Sequence, residues 1–169
     1  IRLSGPGGHT ARPHLTSDLI HVIGRLITDL PSGLAKLTDS RDALTLVFGQ
    51  VHAGHAPNVI PTSAQLEGTL RVRGRTTWDA AQEIVRQLVE ATVSPFGAKW
   101  ELDYERGSPP VDNDAQAVSV LRAATGAALG AQACVPTQQS VGNEDFSWLL
   151  ERAPGAYARL GVRRPGAAH

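Results

Sequence analysis

A chain of 169 residues, 41% hydrophobic and 19% charged, is long enough to bury a core and ordinary for a globular protein. Sixteen basic residues balance sixteen acidic ones, which leaves no electrostatic footprint for nucleic acid or an anionic membrane. No apolar run approaches the roughly 20 residues that cross a bilayer, and one cysteine, Cys134, allows neither an internal disulfide nor a cysteine zinc cage.

A reducing, cytoplasmic setting is therefore the expectation. The chain contains no methionine and opens as if inside a β-strand, with no basic-then-apolar leader. Those features predict a segment of a longer protein.

In chain order, Ile1–Ser4 reads as a strand, followed by the glycine-rich turn GPGGH. Thr16 or Ser17 can cap a helix whose apolar stripe comprises Leu19, Ile20, Val22, Ile23, Leu26, Ile27 and Leu30. Pro31-Ser32-Gly33 is expected to disturb or end it. Ala43–Gly54 is β-rich, with Leu44, Leu46 and Phe48 alternating. The loop HAPNVIP leads into a strand with Leu66, Gly68, Leu70 and Val72 on one face. Asp79–Val93 predicts a second helix with Ala80, Ile84, Leu88 and Ala91 at helical spacing. Ala98–Glu105 alternates as a last strand.

The order β-α-β-β-α-β predicts an α+β, ferredoxin-like domain over residues 1–107, two helices covering one face of an antiparallel sheet. The turn-rich GSPPVDND (Gly107–Asp114) marks a boundary. Beyond it, residues 108–169 read as a helix over Asp114–Leu129, a short helix over Glu144–Arg152 capped by Asn143, and a strand over Ala156–Val162. So little strand cannot make a sheet core, which predicts an incomplete α/β segment.

Six histidines are the first candidates for chemistry. His21, set between apolar helix positions, reads as structural or partly exposed. His52 and His55 have the H-x-x-H spacing of a metal pair, but no third ligand stands nearby in sequence. His9 follows two glycines, which let the backbone turn sharply and approach another group closely. It is either a surface-loop histidine or, followed by Arg12-Pro13-His14, a group that reaches outward into a cleft.

Four segments carry a resemblance in order and spacing: SGPGGHTARPH, then HAGHAPNVIP with EGTLR, then PPVDND, then GNEDFSWLLERAPGAYARLGV. Together they resemble the zinc-dependent amidohydrolases of the aminoacylase, hippurate hydrolase and auxin-conjugate hydrolase type, over nearly the whole chain. The resemblance implies a catalytic domain interrupted by a dimerising lid. Residues 1–107 correspond to the lid and 108–169 to the C-terminal return of the catalytic domain. It further implies a homodimer, a small N-acyl amino acid or peptide-like amide as substrate, and two divalent metal ions, zinc or manganese, in the whole enzyme.

By the same resemblance, His9 reaches across the dimer to the developing oxyanion in the partner's site. Asn58 and Arg71 bind the carboxylate side of the substrate, and His169 falls where a metal ligand is expected. The chemistry suits these types. A hydrogen-bond donor is needed where the oxyanion forms, and a planar, permanently charged guanidinium matches a carboxylate. Glu144 and Asp145 are either groups that hold a metal ligand in place from behind or a plain acidic pair at a helix N-terminus.

The family's other ligands, including a Cys-x-His pair, and its catalytic glutamate have no counterpart here. The chain alone is thus expected to be inactive, with no or an incomplete metal site and no stoichiometric high-affinity zinc. The alternative is a stand-alone ferredoxin-like dimerisation module. An RNA-binding domain of the same strand order would need aromatics on the central strands and a basic surface; those strands offer only Phe48, and the net charge is zero.

Overall fold

The computed structural model describes residues 1–140 and 142–162, which fold as two compact units divided after Gly107. The first contains β1 (Arg2–Ser4), β2 (Gly8–His9), α1 (Leu19–Leu37), β3 (Thr45–Ala53), β4 (Val59–Ile60), β5 (Ser63–Arg71), α2 (Arg75–Val93) and β6 (Lys99–Glu101). Four of these strands form an antiparallel sheet in the order β3-β5-β1-β6, while β2 and β4 pair as a separate ribbon. Without the ribbon the chain runs β-α-β-β-α-β, the ferredoxin-like fold that the apolar patterning predicts.

α1 forms because its apolar residues recur at helical spacing and its first turn is capped. Leu19, Val22, Ile23, Leu26, Leu30 and Leu34 are all buried. The cap is Asp18, whose carboxylate accepts the His21 amide at 3.0 Å, rather than Thr16 or Ser17. The helix also runs through Pro31 instead of ending there. A mid-helix proline costs about 3 kcal/mol. Burying Leu30 and Leu34, both fully covered, returns roughly 1.5–3 kcal/mol each, so continuing the helix wins.

α2 starts at Arg75, a turn earlier than Asp79. Its buried stripe is Thr77, Ala81, Val85, Val89 and Val93, one position round from the face expected. Ile84 and Leu88 lie at the margin of the core, and Ala80 and Ala91 face solvent. Two adjacent apolar stripes share this helix, and periodicity alone does not choose between them.

In β3 the alternation changes phase. Phe48 stands opposite Gly68 and Gln50 opposite Glu67, so Gly49 is an extra residue in a β-bulge. The bulge lets Leu46 and Phe48 before it, and Val51 and Ala53 after it, meet the same side of β5, where Leu66 and Ala64 are buried. β6 is shorter than Ala98–Glu105, although Leu102 and Tyr104 still pack on the core.

The second unit holds α3 (Ala115–Leu129) and α4 (Phe146–Leu150). Asp114 caps α3 by accepting the Ala117 amide at 2.8 Å. α4 is shorter than Glu144–Arg152, and its N-cap is Asp145, not Asn143. Ala156–Val162 forms no strand among the described residues. Its neighbour is a side chain instead of a strand: the Asn113 amide donates to the Tyr157 carbonyl at 3.0 Å and accepts the Tyr157 N–H at 2.8 Å. The Asp114 N–H donates to the Gly155 carbonyl at 2.9 Å.

The core of the first unit makes a direct expectation. Leu26→Ala should destabilise the protein by about 2–5 kcal/mol, whereas Leu37→Ala, at a position 58% exposed, should cost under about 1 kcal/mol. Urea titration followed by circular dichroism distinguishes the two, and equal losses would contradict this packing.

Candidate functional site

Between β1 and α1 the chain makes an excursion whose two ends are tied. The Gly5 N–H donates to the Thr62 carbonyl at 3.1 Å, and the Ser17 N–H donates to the Pro6 carbonyl at 2.8 Å. Within it, Gly8 stands opposite Ile60 and His9 opposite Val59 in the β2–β4 ribbon. Thr10 closes the ribbon: its N–H reaches the Asn58 carbonyl at 3.1 Å and its hydroxyl reaches the same oxygen at 3.4 Å. Gly7 makes the approach possible, because a Cβ there would lie 2.5 Å from the Ile60 carbonyl oxygen.

The GGH turn and the NVIP turn, distant in sequence, are thus one structure, and His9 and Asn58 are both exposed on it. The imidazole is also oriented. His9 Nδ1 accepts the Ala11 N–H at 3.1 Å, and the His9 carbonyl accepts the Arg12 N–H at 2.9 Å. With Nδ1 engaged as an acceptor, the neutral ring carries its proton on Nε2, which leaves an N–H donor on the outer side of the ring.

Arg71 does not join this pair within one protomer. It is the last residue of β5, opposite Thr45 in β3, and it is exposed. The β1 end that launches the His9 excursion adjoins Ser63, at the other end of β5. At about 3.3 Å per residue the intervening strand spans roughly 26 Å.

The remaining histidines stand apart from this arrangement. His21 lies in α1 with its ring tilted against Phe96, centroids 5.2 Å apart, in keeping with a structural role. His52 is on β3 opposite Gln65, and His52, His55 and His14 are all exposed. Among the described residues no group of three or more His, Cys, Asp and Glu comes together to hold a metal ion, so the residues in view do not fit one. His169 lies outside the described residues.

In the second unit, Glu144 accepts the Tyr157 hydroxyl at 2.7 Å, and that bond to a carboxylate pushes the Tyr157 hydroxyl's pKa up. The Glu144 carbonyl caps the turn into α4 by accepting both the Ser147 N–H at 3.1 Å and its hydroxyl at 2.7 Å. Asp145 makes no side-chain capping bond. Asn113, Tyr157 and Glu144 therefore form one chain of hydrogen bonds that joins two of the motif segments. Sequence reasoning singled out only Glu144. The positions of PPVDND and PGAY were marked, but their individual partners had no sequence signal.

The chain is similar to several known proteins. The peptidase dimerisation domain of the M20 type matches residues 1–96. A Rhodococcus jostii protein designated a glutamate–cysteine ligase is 45% identical over 96% of this chain, but the match occupies only 20% of that protein. An N-acetyldiaminopimelate deacetylase of Streptococcus suis is 31% identical over the whole chain and 45% of its own length. Among solved structures, a dinuclear metal-binding peptidase of the M20 family from Bacillus subtilis superposes with a TM-score of 0.67, at 29% identity, over 92% of this chain and 38% of that one. The chain thus spans between a fifth and just under half the length of these relatives.

The orientation of His9 is open to direct measurement. Imidazole nitrogen shifts in a long-range NMR correlation spectrum above pH 8 should show the Nε2–H tautomer at this residue. A predominant Nδ1–H form would contradict the Ala11 hydrogen bond.

Proposed function

Since the chain belongs to the M20 peptidase dimerisation-domain family, we propose that the whole protein is an amidohydrolase that cleaves N-acyl amino acids or related amides. In this reading, residues 1–107 are its lid and 108–169 a C-terminal part of its catalytic domain. The observation that carries the reading is the β2–β4 ribbon, which presents an oriented imidazole and Asn58 together on a tied loop. The deacetylase name of the Streptococcus suis relative supports the substrate class. Two divalent ions, zinc or manganese, belong to the proposal for the whole protein. His169 is proposed as one ligand, and this chain's own share of the reaction lies with His9, Asn58 and Arg71.

The His9 Nε2–H is the donor offered to the oxyanion, Arg71 is the partner of the substrate carboxylate, and Asn58 steadies the same end of the substrate. Because roughly 26 Å of β5 separates Arg71 from the other two, one lid does not bring all three to one small substrate. Two lids can, if His9 and Asn58 serve the neighbouring subunit's substrate while Arg71 serves its own. Glu144, held by Tyr157, is proposed to steady the metal-binding side of the catalytic domain, with Asp145 beside it at the start of α4.

Self-association follows from the sheet's open edge. Among the described residues β3 has β5 on one side and no neighbour on the other, while the opposite edge strand, β6, is only three residues long. A long unpaired edge invites another strand. Ile20 and Ile27 are exposed two turns apart on one face of α1, with open space over Gly24 between them. Gly54, just past β3, lies against Ile20. Strand edge and helix stripe thus adjoin, and a second copy is the occupant proposed for both. No helix among the described residues is long and apolar enough to cross a membrane, and the reading places the enzyme in the cytoplasm.

Two outcomes test this. His9→Ala in the whole enzyme should lower turnover by about a hundredfold or more, the usual cost of one lost oxyanion donor, with metal content unchanged. Hybrid dimers of His9→Ala with a variant lacking the catalytic base should regain activity at one of their two sites, and failure despite subunit exchange refutes the cross-subunit role. Separately, Ile27→Glu should shift the protein from dimer to monomer in sedimentation at tens of micromolar. An unchanged dimer would place the interface elsewhere.

A further inference from the structure

Arg71 stands at the end of β5, and the chain must turn within three residues to enter α2 at Arg75. Asp42, in the turn that precedes β3, grips this connection from outside it. Its carbonyl accepts the Arg73 N–H at 2.8 Å. Its carboxylate accepts the hydroxyl of Thr77, a residue only 6% exposed in the first turn of α2. The same carboxylate lies flat against Gly74, the N-cap of α2. A Cβ at that position would come 1.9 Å from Asp42 Cγ, so no other residue fits without moving the clamp.

Gly74 offers no side chain to cap α2, and the helix makes no capping bond from its own N-cap residue. A carboxylate supplied from another turn stands at that end instead, bonded to the Thr77 hydroxyl, where the helix dipole favours negative charge. The arrangement has a second consequence for Arg71. Three residues after Asp42 the chain enters β3 at Thr45, the residue paired with Arg71. Arg71 is thus framed on one side by its ladder partner and on the other by the clamp on Arg73 and Gly74, and both lead back to the same short segment.

We infer that Asp42 is a positioning residue for Arg71: it fixes the β5–α2 turn, and so the direction from which the guanidinium meets a substrate carboxylate. The inference rests on the reading of Arg71 as the carboxylate partner. Asp42 touches no substrate. It acts by holding the backbone from which Arg71 projects, and a bidentate guanidinium–carboxylate contact is sensitive to such small misplacements. Thr77 and Gly74 are the other two parts of the device.

The test uses the whole enzyme and two substrates: the best-cleaved member of an N-acetyl amino acid panel, and the same compound with its carboxylate converted to a carboxamide. Asp42→Ala should raise KM for the carboxylate substrate by about tenfold with kcat changed less than about twofold, because a ground-state binding contact is loosened. The penalty should shrink for the carboxamide. Asp42→Asn, which retains an acceptor for Thr77 and the side chain's shape, should recover most of the affinity. Thr77→Val gives a milder copy of the effect and serves if Asp42→Ala folds poorly. Arg71→Ala supplies the reference, and in an Arg71→Ala background Asp42→Ala should add little. A KM penalty equal for both substrates, or additive with Arg71→Ala, overturns the positioning role while leaving Arg71's role intact. An Arg71→Ala enzyme that keeps the unmodified enzyme's full preference for the carboxylate over the carboxamide overturns the Arg71 reading and this inference with it.

Discussion

The site depends on a closed excursion. Once β1 is seated between β5 and β6, and α1 is seated through leucines with no exposed surface, the chain between them has fixed ends. The Ser17 N–H to Pro6 carbonyl bond ties those ends together, and Ser17 itself is buried beside Gly5. What lies between is held from the other side by the NVIP turn through the ribbon and the Thr10–Asn58 bonds. An exposed histidine on a free loop would sample many directions. Here the ribbon to β4 fixes the backbone and the Ala11 N–H to Nδ1 bond orients the ring, the kind of pre-organisation that the proposed oxyanion donor would need.

The fold was legible because its signals are periodic. The alternation in β3 and the leucine spacing in α1 specify a strand and a helix whatever surrounds them. What failed were signals that depend on partners. Pro31 reads locally as a stop, yet the burial of Leu30 and Leu34 overrides it. The N-cap of α1 is Asp18 because Ser17 is drawn into the turn closure, a tertiary event. Gly74 looks like an unremarkable turn glycine until Asp42 arrives from more than thirty residues away in sequence.

The second unit shows the opposite limit. Pro109 and Ser147 are its only buried residues among those described, while Val120, Leu129, Leu149, Leu160 and Val162 are all more than 60% exposed. The alternation over Ala156–Val162 promises a strand, but a strand exists only where another pairs with it. The Asn113 amide can satisfy one residue of backbone, Tyr157, and no more. The strand expected there does not form, because residue pattern alone carries no information on whether a pairing strand is present.

The candidate residues divide along the same line. His9, flagged by two preceding glycines, was visible because those glycines are required by a close backbone approach, and the 2.5 Å that a Gly7 Cβ would leave to the Ile60 carbonyl is the physical content of that signal. Asn58 and Arg71 were visible only through resemblance, since an asparagine in a loop and an arginine at a strand end are common. Their placement still constrains the reading. An arginine at the far end of β5 from the strand end beside which the histidine and asparagine stand does not favour a single-lid site for a small amide. It is compatible with a composite site built by two lids, for which β3 leaves its edge open. Dimerisation in that arrangement is part of how the binding groups are brought together, so any change that frees the lid as a monomer should remove substrate contacts as well as the interface.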